Sequence, residues 1–240
     1  MLTISNYSKS YKNGKKAVDD LNISVEAGDI YGFIGHNGAG KTTTIRSVVG
    51  VLDFEEGDIQ INGMSIKKEP LKCKQEIAYI PDNPDLYEYL TGIAFLNFIA
   101  DIYNVSKKDR KECITKYADA FELTSHLGDL ISSYSHGMRQ KLALISALIH
   151  KPKLLVLDEP FVGLDPKASH TLKRIMHELC EEGSAIFFST HVLEVAQKLC
   201  NKIAIIKAGK IVVSGDTKEI TANQSLEDIF MELVDDQEQV

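Results

Sequence analysis

Eight residues in the first fifth of the chain, GHNGAGKT at Gly35–Thr42, fit the pattern G-x-x-x-x-G-K-[ST]. Each residue type has a use there. Glycines let the backbone curl until successive N–H groups face phosphate oxygens, and a helix starting at the loop adds the positive end of its dipole. A lysine at Lys41 reaches the β- and γ-phosphates, and the Thr42 hydroxyl can ligate magnesium. A plain Gly-rich turn would account for the glycines but not for Lys-Thr at this spacing. A second patch of chemistry is LLVLDEP, Leu154–Pro160. A buried strand ending in Asp158 sets one carboxylate beside the phosphate loop, where it holds magnesium directly or through water. Glu159 is expected on the opposite side of the strand end, placed to accept a proton from an attacking water or to orient it. Alone, such an acidic pair is an ordinary turn or helix cap; with GHNGAGKT it reads as metal ligand and base.

These groups need strands and helices to carry them. IYGFIG (30–35) is a compact apolar run, and TTTIRSVVGVL after it has helical spacing, so strand, loop and helix form a phosphate-binding unit. LLVLDEP, AIFFSTH (185–191) and KIAIIKAGK (202–210) are apolar strand candidates separated by helix-length polar segments, which predicts a buried, largely parallel sheet. Thr3–Ser5, Leu21–Asp29 and Gly57–Gly63 alternate apolar and polar residues, predicting a small antiparallel sheet. From Thr91, a plausible N-cap, Phe95, Phe98, Ile99 and Ile102 recur at helical spacing, and about residues 85–145 read as an inserted helical lobe. Tyr87, Tyr89, Phe95 and Phe98 are read as core in preference to a partner surface. Residues of about 216–240 form a C-terminal helical tail, with a capping box at Ser225 and Asp228 and an apolar face of Leu226, Ile229, Phe230 and Leu233. The fold class is therefore α/β: a P-loop NTPase core with a mostly parallel sheet, an N-terminal antiparallel β-subdomain and an inserted helical subdomain, all one domain over 1–240.

Composition narrows the partners. The chain has 240 residues, a formal charge of −7 and 44% hydrophobic residues, ordinary for a globular protein. An acidic balance without a basic face argues against nucleic acid. The pairs Lys15-Lys16, Lys67-Lys68 and Lys107-Lys108 read as solvated. Cys73, Cys113, Cys180 and Cys200 are too scattered for a zinc or redox motif, which fits a reducing cytosol. No run is long enough to cross a bilayer and no signal peptide is evident, so work at a membrane would need another chain. His126, His150 and His177 read as surface residues.

GHNGAGKT, then YSHGMRQ ahead of LLVLDEP, then GLDP and STH, in that order, resemble an ABC-family nucleotide-binding domain over nearly the whole chain. The resemblance implies ATP and Mg2+ as ligands, with Gly35, His36, Asn37, Gly38, Ala39, Gly40, Lys41, Thr42 and Thr43 around the phosphates. It also implies Tyr11 as the aromatic that stacks on adenine, in preference to Tyr7. YSHGM occupies the place of the family's LSGGQ signature. It keeps Ser135 and Gly137, which in the family meet ATP bound to the opposite subunit of a head-to-tail dimer; Tyr134, His136 and Met138 depart from the usual letters. Asp165 in GLDP resembles the loop that communicates across that dimer, and His191 in STH resembles the histidine that senses the γ-phosphate. In AYIPDNPDLY, Asp82 stands where the family usually has glutamine; a carboxylate there can bind magnesium or water but adds negative charge near the γ-phosphate.

The resemblance therefore implies an ATP hydrolase, with Glu159 and His191 catalytic and Thr42, Asp158 and Asp82 at the metal, that drives transport through a separate integral-membrane permease. YIPDNPDLYEYLTG, YSHGM and the SLEDIFMEL tail resemble the bacterial export-type subgroup. The chain would work as a homodimer or heterodimer, peripheral on the cytoplasmic face of the membrane. The alternative is a soluble ABC-type ATPase scaffolding iron–sulfur cluster assembly.

Overall fold

A computed structural model describes residues 1–11, 14 and 16–235; Lys15 of the first basic pair and the last five residues of the expected tail lie outside the described residues. The chain opens with β1 (Leu2–Ser10), β2 (Lys16–Val25) and β3 (Ile30–Ile34). It continues through α1 (Lys41–Val48), β4 (Glu56–Ile61), β5 (Met64–Ser65), α2 (Pro70–Glu76) and β6 (Ile77–Ile80). Three helices follow, α3 (Gly92–Ile102), α4 (Lys107–Ala120) and α5 (His136–Leu148). The remainder alternates: β7 (Leu154–Asp158), α6 (Pro166–Glu181), β8 (Ala185–Thr190), α7 (Leu193–Leu199), β9 (Lys202–Lys207), β10 (Lys210–Asp216), α8 (Thr217–Ile220) and α9 (Leu226–Asp235).

The strands form two sheets. One is antiparallel, in the order β2-β1-β4-β5; the other has the order β10-β9-β3-β8-β7-β6, parallel throughout except for edge strand β10. In β3, β7 and β8 every residue is buried, as strands covered on both faces require. Alternation divides their side chains between two cores. Ile30, Ile34, Leu155, Leu157, Ile186 and Phe188 join a core with α3–α7 and α9. Tyr31, Phe33, Leu154, Val156 and Phe187 join a second core with α1 and the small sheet.

Capping follows chemistry visible in the sequence. Thr91 accepts from the Ala94 amide at 3.2 Å to start α3, and Ser225 with Asp228 satisfies both arms of a capping box before α9. Three expectations change. β2 begins at Lys16, five residues before the expected strand. Tyr87, Tyr89 and Phe98 are exposed, and only Phe95 is core; helical spacing reveals a face without saying what covers it. His150 is half-buried, stacked on Tyr103 with ring centroids 3.6 Å apart, and is no surface residue.

Candidate functional site

The carboxyl ends of β3, β7 and β8 lie side by side, and each delivers a group to one place, as open parallel sheets do. The loop after β3 turns through Gly40, whose φ of 116° is open to glycine and whose missing Cβ would meet the Ala17 carbonyl oxygen at 2.8 Å. α1 then starts with no side-chain cap and no acidic residue in its first turn. Its first N–H groups are left for an anion. Lys41 is buried and folds back over the loop, donating to the Gly35 carbonyl at 2.6 Å and the His36 carbonyl at 3.4 Å.

At the end of β7 both carboxylates face one cleft. Asp158 is 3% exposed and accepts a hydrogen bond from the Ser189 hydroxyl on the neighbouring strand. Glu159 does not point to the opposite side, as alternation predicted. Its φ of 51° breaks the extended backbone, its amide donates to Ser189, and its side chain turns back into the same cleft. There one oxygen lies 3.6 Å from Lys41 Nζ and the other 3.0 Å from His191 Nδ1. The His191 amide also donates to this carboxylate at 3.3 Å.

A cleft of about 720 Å³ is lined by Tyr11, His36, Asn37, Gly38, Gly40, Lys41, Thr42, Thr43, Asp82, Asp158 and Glu159. Gly35 and Ala39 are buried behind it. Tyr11 is exposed, and its hydroxyl lies 3.2 Å from that of Thr43. Tyr7 is fully buried against Ser47, with burial pushing its phenol up to about 12, so its face is closed to a base. Lys16, Ala17 and Ala208 also line the cleft; none was singled out from the sequence. Lys16 lay in a pair read as solvated, and only the early start of β2 carries it to the rim.

Thr42, Asp158 and Asp82 offer oxygen alone, the donor type a hard cation such as Mg2+ prefers. Among the described residues no three His, Cys, Asp or Glu side chains converge to hold a metal unaided. The donor set thus fits a cation that completes its shell with phosphate and water.

Ser135, Gly137 and Asp165 do not join this cleft. Ser135 is exposed and caps α5, accepting from the Met138 amide at 3.3 Å. Asp165 caps α6, accepting from the Ala168 amide at 2.8 Å, and pairs with Lys141 at 2.7 Å, which holds its carboxyl below the usual range. The segments beside the two caps touch: a Cβ added to Gly163 would stand only 2.7 Å from the His136 ring.

A parallel sheet with a phosphate loop after β3, an acidic pair after β7 and a histidine after β8 is an α/β P-loop nucleotide hydrolase of the ABC ATPase class. A family model described as ABC transporter matches residues 18–162, and the chain belongs to that family. It is 38% identical over 220 residues to an uncharacterized ABC transporter ATP-binding protein, YhcH, of Bacillus subtilis, covering 91% of this chain and 71% of YhcH. It is 34% identical over 221 residues to the linearmycin resistance ATP-binding protein LnrL of the same organism, covering 92% of this chain and 70% of LnrL. A solved ATP binding subunit of an ABC transporter superposes with a TM-score of 0.94 at 32% identity, covering 98% of this chain and 99% of that one. The chain is thus an ATPase of the ABC type.

Proposed function

We propose that this ATPase drives export through a separate integral-membrane permease, as one of two ABC subunits that sandwich two MgATP head to tail. One observation carries the dimeric part. The cleft collects Lys41, Asp158 and Glu159, while Ser135 and Gly137 stand exposed or half-exposed outside it, as a surface awaiting a second subunit's nucleotide does.

In this reading Tyr11 stacks on adenine, the loop amides and Lys41 take the phosphates, and Thr42, Asp158 and Asp82 hold magnesium. The bound cation would neutralise charge on the phosphate oxygens. Glu159 takes the proton of the water that attacks the γ-phosphorus, and ADP departs with the β–γ bridging oxygen. His191 fixes the Glu159 carboxylate and reports the γ-phosphate. Binding favours the closed dimer, and phosphate release removes the contacts that close it.

Transport and its direction rest on the relatives. LnrL is named for resistance to linearmycin, and the solved chain of nearly equal extent is an ATP binding subunit. No helix among the described residues is long and apolar enough to cross a membrane, which suits a subunit peripheral to the cytoplasmic face. The exposed Tyr87, Tyr89 and Phe98 on the helical lobe suit permease docking, since aromatic side chains are enriched where proteins meet. Tagged Glu159→Gln protein, purified with ATP from detergent-solubilised native membranes, should bring down a polytopic membrane protein in stoichiometric amount. A soluble partner set alone would overturn the transport reading in favour of the iron–sulfur scaffold.

A further inference from the structure

Helix α9 reaches back to the phosphate loop from the far end of the chain. The Phe230 ring lies 4.5 Å, centroid to centroid, from the imidazole of His36, the second residue of GHNGAGKT, at an interplanar angle of 48°. Phe230 itself is fixed. It is 9% exposed and shares its core with Leu226 and Ile229. Two polar contacts hold the helix ends: the Leu226 amide donates to Gln197 Oε1 at 3.0 Å, and Lys207 Nζ donates to the Leu233 carbonyl. Gln197 belongs to α7, the helix that begins two residues after His191. On the other side of the contact, the His36 carbonyl is one of the two backbone acceptors of Lys41 Nζ.

We propose that Phe230 is a positioning residue for ATP binding, and that α9 is a strut setting the phosphate loop. The argument is mechanical. His36 is exposed and sits in a loop whose backbone must present its N–H groups in one fixed ring. A rigid aromatic face at 4.5 Å limits where that residue can go, and therefore where its carbonyl holds Lys41. Through Gln197 the same helix is tied to the element following His191. Loosening α9 disorders the loop and weakens nucleotide binding while leaving Glu159 and its chemistry in place. By linkage, filling the site with ATP must tighten α9. The inference rests on the ATP-site reading above and adds a determinant outside the cleft.

Phe230→Leu keeps an apolar side chain in the core and removes the aromatic face. The expected result is a rise in Kd and KM for MgATP of about two- to tenfold, the range an aromatic contact supports. kcat at saturating ATP should be unchanged, and Phe230→Tyr should restore affinity. A merely structural role would lower Tm and active fraction without moving KM. In the wild-type chain, MgATP should slow amide hydrogen exchange across residues 226–233, a readout that needs no variant. Unchanged Kd and KM in folded Phe230→Leu, or unchanged exchange in α9 on ATP binding, overturns the proposal. Failure of the wild-type chain to bind MgATP would overturn the site reading as well, and so the two failures are told apart.

Discussion

Glu159 Oε2 stands 3.0 Å from Nδ1 of His191, with the other oxygen of the same carboxylate 3.6 Å from Lys41 Nζ. Only 13% of the Glu159 side chain is exposed, and 6% of Lys41. These contacts fix the direction of the Glu159 carboxylate, the group proposed above as the base. Lys41 has two backbone carbonyls and the Glu159 carboxylate within reach, and a phosphate can take the place of the carboxylate as its charged partner.

Lys41→Met keeps most of the stem and removes the ammonium. Charge-assisted hydrogen bonds of about 1.5–3 kcal/mol are lost, and MgATP affinity should fall roughly ten- to hundredfold. Titration calorimetry checks this; affinity within threefold of wild type would mean that Lys41 does not meet the phosphates.

Gly163 joins the loop after Glu159 to the Asp165 cap, with a φ of +80° and the His136 ring 2.7 Å from where a Cβ would stand. Gly163→Ala should lose about 1–2 kcal/mol, seen as a Tm lower by roughly 3–6 °C. His136→Ala in the same background removes the steric part only, so partial recovery of Tm is expected.

His150 supplies a pH dependence. Its Nε2 lies 3.2 Å from the Ile77 carbonyl, its ring is stacked on Tyr103, and burial pushes the imidazole down to about 4. An unfolded histidine titrates near 6.5, so between these values the unfolded chain holds a proton that the folded chain refuses. Stability is full above the unfolded pKa and falls as pH drops toward the folded one. Between about pH 7.5 and 5.0 this group alone should cost about 2 kcal/mol. Urea unfolding at the two pH values measures it, and His150→Phe should remove that share of the slope.

How much of this was legible in the sequence depended on whether the signal was local. GHNGAGKT and the apolar runs of β3, β7 and β8 were readable because a phosphate cradle needs fixed spacing and a doubly covered strand needs unbroken apolar residues. The orientation of Glu159 was not, because strand alternation fails at a residue with φ of 51°. Lys16 was missed because the first half of β2, KAVDD, alternates too weakly to mark a strand. The exposure of Tyr87, Tyr89 and Phe98 depends on which neighbours cover α3. The contact between His36 and Phe230 joins opposite ends of the chain, and no periodicity records it.

The measurement that bears most directly on the central claim compares wild-type and Glu159→Gln protein for MgATP binding, steady-state hydrolysis and mass by light scattering. Substituting the proposed base should leave ATP affinity within about threefold while turnover falls by roughly 10²–10⁴. ATP should then hold the variant as a stable dimer. Hydrolysis by Glu159→Gln at the wild-type rate, with no ATP-dependent change in mass, would contradict both the role of Glu159 and the two-subunit site.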